Sequence, residues 1–314
     1  MGMGLSVNAA SPIQNTFYVI LVLLGIVGNA TVVGVISESV FRDTGGGRSS
    51  DIILINMALS NLLLSVFRNI LLVLSDLGLE LVSSSGLCHF LMGVWVWLRS
   101  VSGWSTLFLS AFHFQTLRRV APPSGMISRR RRPPKTLLGG LGLIWCLNIL
   151  YSIPAHIYST NGNKNSTETL LLISSTTRPL LGCVWNFPSS RAALAFATTS
   201  MVVHEILPIV LMAVTNLGSL YTLHVRSRTR SAEHKVPAER RAAKVIVALT
   251  SLFIWSWVTI IISINYINHR KGSSVEYLLV IARFANTIFI AVSPIVLAVG
   301  HGRLRAVIKS IVAY

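Results

Sequence analysis

The chain has 314 residues, of which 52% are hydrophobic and only 12% charged, with a mean hydropathy of +0.66. An ordinary soluble domain carries about a quarter charged residues, so a soluble globular protein is excluded. So are a disordered chain, by the hydrophobicity, and, with three cysteines in this length, a disulfide scaffold.

Seven long apolar segments follow one another at approximately 13–37, 51–77, 87–117, 136–158, 192–225, 243–267 and 275–300. Each reaches the roughly 20 residues that cross a hydrocarbon core as a helix. In lipid every backbone amide must be satisfied, so an open chain crosses as helices. The expected fold is an all-α membrane protein, one bundle of seven helices over 1–314. The first segment has no charged side chain up to residue 37, so it lacks the basic start of a signal peptide. The third and fifth exceed one span and are expected to tilt or to project beyond the lipid. Pro154, Pro208 and Pro294 fall inside or near the ends of segments, where neighbouring helices hold the kinks.

Lys and Arg number 27 against 10 Asp and Glu, a net charge of +17, and their positions set the orientation. Residues 38–50 carry Arg42 and Arg48, residues 118–135 carry seven basic groups, residues 226–244 seven more, and the tail Arg303, Arg305 and Lys309. That is 19 of 27 at one set of helix ends. The positive-inside rule puts them in the cytoplasm and the N-terminus outside. Basic clusters at alternate helix ends, rather than on one face, argue against nucleic acid. The tail segment 301–312 is expected to lie as a short amphipathic helix on the inner membrane face.

The outer side has its own signals. Asn165-Ser166-Thr167 is a glycosylation sequon in a loop this topology places outside. Cys88 opens the third segment and Cys183 lies in the same loop as Asn165. Both face the oxidising compartment, where a disulfide persists; the alternative is two free thiols. Cys146, inside the fourth segment, reads as a packing residue.

Catalytic motifs find no support. His204-Glu205-Ile206-Leu207-Pro208 lacks the second histidine of a zinc protease helix. Gly45-Gly46-Gly47-Arg48-Ser49 lacks the lysine and flanking strand of a phosphate loop. No Cys/His set has zinc spacing, and no cofactor or metal is expected.

Seven spans, an outer N-terminus and a cysteine at the top of span three resemble a G-protein-coupled receptor, as do Gly28-Asn29 and Leu59-Ser60-Asn61-Leu62. Departures from the usual pattern narrow the resemblance. His113-Phe114-Gln115-Thr116-Leu117 stands where an Asp/Glu-Arg-Tyr triplet is common, and Asn61 where many have an Asp. Span six has Trp255 and Trp257 without a proline, and span seven ends Ser293-Pro294-Ile295-Val296-Leu297. With 110–122, His204-Glu205, 236–253 and 293–305, these features resemble the vomeronasal type-1 receptors and their fish relatives, the class A-related olfactory receptors. The resemblance implies a chemosensory receptor in the plasma membrane of sensory neurons, one that detects small molecules such as pheromones. It also implies an inhibitory-type heterotrimeric G protein as partner, contacted at Gln115, Arg118 and Arg119. Topology and attraction to anionic lipids account equally for the basic loops. A bitter taste receptor is the alternative within the class, disfavoured by the Cys88–Cys183 pair. A small transporter or channel is the alternative outside it, disfavoured by the absence of repeated broken helices.

Ionisable groups inside spans are costly and are functional candidates by default. At about 1.5 Å per residue, Arg68, Arg99, Arg283 and Glu205 stand roughly 26 to 32 Å above the cytosolic ends. They form one outer layer with His204 close by. Three cations and one anion there predict an outward-facing pocket for a ligand carboxylate or sulfate, held by guanidinium forks. Trp95, Trp97, Trp104 and Phe284 are the expected aromatic walls. The competing readings are arginines that snorkel to headgroups and a Glu205–Arg pair that only ties helices together.

Overall fold

The computed structural model describes residues 12–42, 49–79, 84–118, 135–162, 176, 182–229, 237–270, 277–302 and 304–306. They form seven helices and one short hairpin. Helix α1 is Pro12–Arg42, α3 Ser85–Arg118, α4 Lys135–Ile157, α6 Pro237–Arg270 and α7 Tyr277–Gly300. Helix α2 is continuous from Ser49 to Asp76 but holds a π-helical turn at Ser65–Asn69. Helix α5, residues 190–229, holds another at Met201–Ile206. Pro208, which has no N–H, sits just after that second turn, where a wider turn relieves the clash a proline imposes on the preceding turn. Strands β1 (Ser159–Asn161) and β2 (Cys183–Trp185) pair antiparallel, Ser159 opposite Trp185 and Asn161 opposite Cys183.

The helices close a ring in which α1 packs on α2 and α7, α7 on α6, α6 on α5, and α5 on α3. Helix α3 runs through the middle and also touches α2, α4 and α6. Six helices are long and apolar enough by composition to cross a membrane, and α3 is the exception. Its position explains this. It buries Arg99, Ser102, Ser105 and Ser110, which bond to neighbouring helices instead of facing lipid. Helix α4 is the opposite case. Leu138, Leu143, Leu147, Leu150, Ile153 and Ile157 are all exposed, the outward apolar face expected of a helix at a lipid boundary.

Small residues set the closest approach. A Cβ on Gly28 would lie 2.9 Å from the Pro294 ring, so α1 and α7 touch through a glycine, as small residues permit in membranes. Asn29 adds a hydrogen bond to the Ile290 carbonyl at 3.0 Å. Polar side chains tie the centre. Asn56 of α2 donates to Ser105 of α3 at 2.8 Å and accepts from Trp145 of α4 at 2.7 Å. Helix α2 ends at Gly78, whose φ of 83° is the left-handed cap that glycine takes without strain.

Cys88 and Cys183 form a disulfide that fastens β2 to the end of α3. A bridge of this kind persists in an oxidising compartment, so the Cys88 end is the outer one. The start of α1 is on the same side, since Tyr18 reaches Asn69 near the outer end of α2. Asn165 and Arg119 lie outside the described residues, as does most of the tail. Gly302 and residues 304–306 are helical.

Candidate functional site

The site is built around Trp95, buried on α3. Arg68 comes from the π turn of α2 and places its guanidinium 4.7 Å from the Trp95 ring centre. Arg99, one turn below Trp95 on α3, lies 5.7 Å from the same ring and 4.0 Å from that of Trp257 on α6. Two cations thus share one indole, a contact favoured by the ring quadrupole. Arg99 donates to Asn286 Oδ1 of α7. Arg68 donates to Asn69 Oδ1 at 3.0 Å, an oxygen that also accepts from Tyr18 at 3.3 Å.

Arg283, one turn above Asn286, is held differently. It forms a forked ion pair with Asp76 of α2 and covers the Tyr18 ring at 3.7 Å. The outer layer therefore holds a second carboxylate, not the single anion expected from the sequence. Asp76 stands at the end of a span, where an acidic group passes for a simple boundary. Asn69 adjoins Arg68, and Asn286 is three residues from Arg283 on one helix face. Those spacings were the available signals.

His204 and Glu205 stand on the π turn of α5. His204 Nδ1 accepts from Trp104 Nε1 at 3.2 Å, and its ring lies 4.0 Å from Tyr151 of α4. Glu205 Oε1 accepts the Thr176 amide at 2.8 Å. Gly103, one turn below Arg99, brings the two halves together. A Cβ there would lie 3.6 Å from Trp257 and 3.7 Å from the His204 carbonyl.

Two of the expected walls lie elsewhere. Trp97 faces α4, where it packs on Trp145 at 5.5 Å and donates to its carbonyl. Phe284 packs against Phe17 and Tyr18 of α1 at 5.8 and 5.7 Å. Trp95, Trp104 and Trp257 line the interior.

Among the described residues, buried N–H groups without a partner gather in this layer: Arg68 Nε, Asn69 Nδ2, Trp95 Nε1, Arg99 Nε, Arg283 Nε and Asn286 Nδ2. The carboxamide oxygens of Asn69 and Asn286 are already engaged by arginines, which leaves their nitrogens. Buried polar groups are ordinarily bonded, so a collection that is mostly donors, joined by the Ser65 and Ser100 hydroxyls, is suited to an acceptor, and the arginines suit a negative one.

At the opposite end of α3, Gln115 and Arg118 are exposed. They line a cavity with Phe108, Ala111, Phe112 and Phe114. Phe114 fills the notch left by Gly218 of α5. Above them Asn216 of α5 is a buried hub. Its Oδ1 accepts from Ser110 of α3 at 3.2 Å and from Thr250 of α6 at 2.6 Å.

The 7 transmembrane receptor (rhodopsin family) pattern fits residues 28–296. The chain belongs to this receptor family. Its members are signalling receptors that cross the membrane several times and couple a ligand to a G protein; they are not enzymes. The receptor is 42% identical over 303 residues to olfactory receptor class A-like protein 4 of Danio rerio, across 93% of this chain and 87% of that one. It is 26% identical to apelin receptor A of Danio rerio, over 76% of this chain and 62% of the other. It is 21% identical to neuropeptide Y receptor type 6 of Oryctolagus cuniculus, over 77% and 63%. Gly28 and Pro294 both fall inside the matched region.

Proposed function

We propose that the receptor is a chemosensory receptor of the vomeronasal type-1 kind, sited in the plasma membrane of sensory neurons. Its ligand is a small organic anion, bound from the outside among Arg68, Arg99, Asn286 and Trp95, with His204 and Glu205 on the far wall. Arg283 orders the rim through Asp76. The chemosensory reading draws on the 42% identity to an olfactory receptor class A-like protein. The observation that carries the choice of ligand is the set of buried donors without acceptors between α2, α3 and α7. A carboxylate or sulfate supplies several lone pairs and one charge, which a guanidinium holds by parallel hydrogen bonds. Gln115, Arg118 and Arg119 are the proposed contacts for an inhibitory-type G protein, and Asn165 the glycosylated residue.

The test is agonist-evoked nucleotide exchange on an inhibitory-type G protein, with panels of small carboxylates, organic sulfates, amines and steroids. Arg99→Gln keeps a polar group of similar length but removes the charge. Loss of a charged hydrogen bond costs about 1.5 to 3 kcal/mol, so potency for an anionic agonist falls about 10- to 150-fold. Unchanged potency at normal surface expression removes Arg99 from the site.

A further inference from the structure

Neither Arg68 nor Arg99 forms an ion pair among the described residues, whereas Arg283 has Asp76. Arg99 is 3% exposed, and Trp95, Asn69 and Asn286 are equally enclosed. An arginine keeps its proton in such surroundings, and a buried cation without a direct ion pair is strongly unfavourable. Stacking on Trp95 and Trp257 and bonds to neutral carboxamides offset only part of this. Five N–H groups around the two arginines, from Asn69, Trp95, Asn286 and the two guanidinium Nε atoms, have no acceptor. Water answers less well, because a buried water needs acceptors for its own two protons, and among the unpartnered atoms beside the two arginines only the Ser65 and Ser100 hydroxyls can accept. The five groups come from α2, α3 and α7. A spherical anion accepts hydrogen bonds from any direction, whereas a planar carboxylate accepts mainly in its plane.

We propose that this cluster holds a resident halide, chloride under extracellular conditions, when no organic ligand is bound. The site rests on the same residues as the pocket proposed above but does not require any organic ligand. The halide offsets one of the two charges of the Arg68–Arg99 pair, satisfies their neighbours and holds α2, α3 and α7 together at their outer ends. An anionic agonist must displace it, so chloride in the medium lowers the apparent potency of such agonists.

The full-length receptor, purified in detergent with no agonist, provides the test. Its melting temperature is followed while gluconate is replaced by chloride at constant ionic strength. Binding to the folded state alone stabilises in proportion to the logarithm of occupancy. The expected result is a saturable rise of about 3 °C, reproduced by bromide and absent in Arg68→Gln. A melting temperature equal in chloride and gluconate overturns the proposal on the wild-type protein, whether or not the variant folds. The outcome is separable from that of the ligand test. A flat halide curve alongside carboxylate responses that fail in Arg99→Gln sinks the resident ion and leaves the pocket. A saturable halide curve without any response to organic anions sustains the ion and sinks the pocket.

Discussion

Asn216→Leu isolates the coupling between the inner halves of α3, α5 and α6. Leucine matches the shape of asparagine and removes only its polar atoms. The structure makes the consequence calculable, because the hydroxyls released keep other partners. Ser110 still meets Thr215 at 2.6 Å, and Thr250 still meets the Ile246 carbonyl at 2.9 Å. No buried orphan is created, so the loss is confined to the bonds that cross between helices, Ser110 to Asn216 and Thr250 to Asn216, with a marginal third from Asn216 to Ser251 at 3.5 Å. Interhelical hydrogen bonds in membranes average about 0.6 kcal/mol, so the pair contributes about 1.2 kcal/mol, or about an eightfold shift in equilibrium. A receptor signals by changing the packing of its helices, and any state in which α3, α5 and α6 all part from one another at this level has already broken these bonds. Basal nucleotide exchange on a G protein, normalised to surface receptor, is expected to rise up to about eightfold in Asn216→Leu. Thr250→Val is expected to give about half that change on the free-energy scale. Basal exchange equal to wild type in both variants refutes the reasoning.

Gly28→Ala forces a methyl group into the Pro294 ring, whereas nothing lies within 4 Å of a Cβ on Gly34. Overpacking costs about 1 to 3 kcal/mol, so in a detergent melt Gly28→Ala falls about 5 °C below Gly34→Ala; equal melting points contradict the close contact. Cys183→Ser opens a disulfide spanning 95 residues, for which chain entropy gives at most about 4.7 kcal/mol. Surface labelling of this variant is expected to fall sharply, with Cys88→Ser no worse than the double variant. Asn165→Gln is expected to remove the shift in gel mobility that a glycosidase causes in the wild type; a wild-type band that ignores the enzyme contradicts an outer loop at that residue.

The seven helices were legible because lipid imposes two strong rules, length and the side on which basic residues collect. Helix α3 shows where those rules weaken. It is too polar for a simple hydropathy criterion, since Ser102, Ser105 and Ser110 satisfy their hydroxyls on other helices. The ionic layer was legible in height but not in azimuth. Counting residues sets how far Arg99 and Arg283 stand above the cytosol, but not that one turns inward to Asn286 and the other toward Asp76. The same blindness made Trp97 and Trp95, two residues apart, equivalent candidates, although one faces α4 and the other the interior. Two irregular turns compounded the difficulty, because each advances the phase of everything beyond it. No proline marks the one in α2, and Pro208 only hints at the one in α5.

Those wide turns carry Arg68 on one side of the bundle and His204 with Glu205 on the other. A π turn stores one surplus residue, and a helix relieves it by passing that residue along or by reverting to the tighter winding. Each such slip swivels the outer stretch by about 100° and slides it by about 1.5 Å, while the inner stretch stays in register. The charged groups are thus mounted on two click-stops, so an occupant of the chamber can be registered as a discrete rotation rather than a gradual bend.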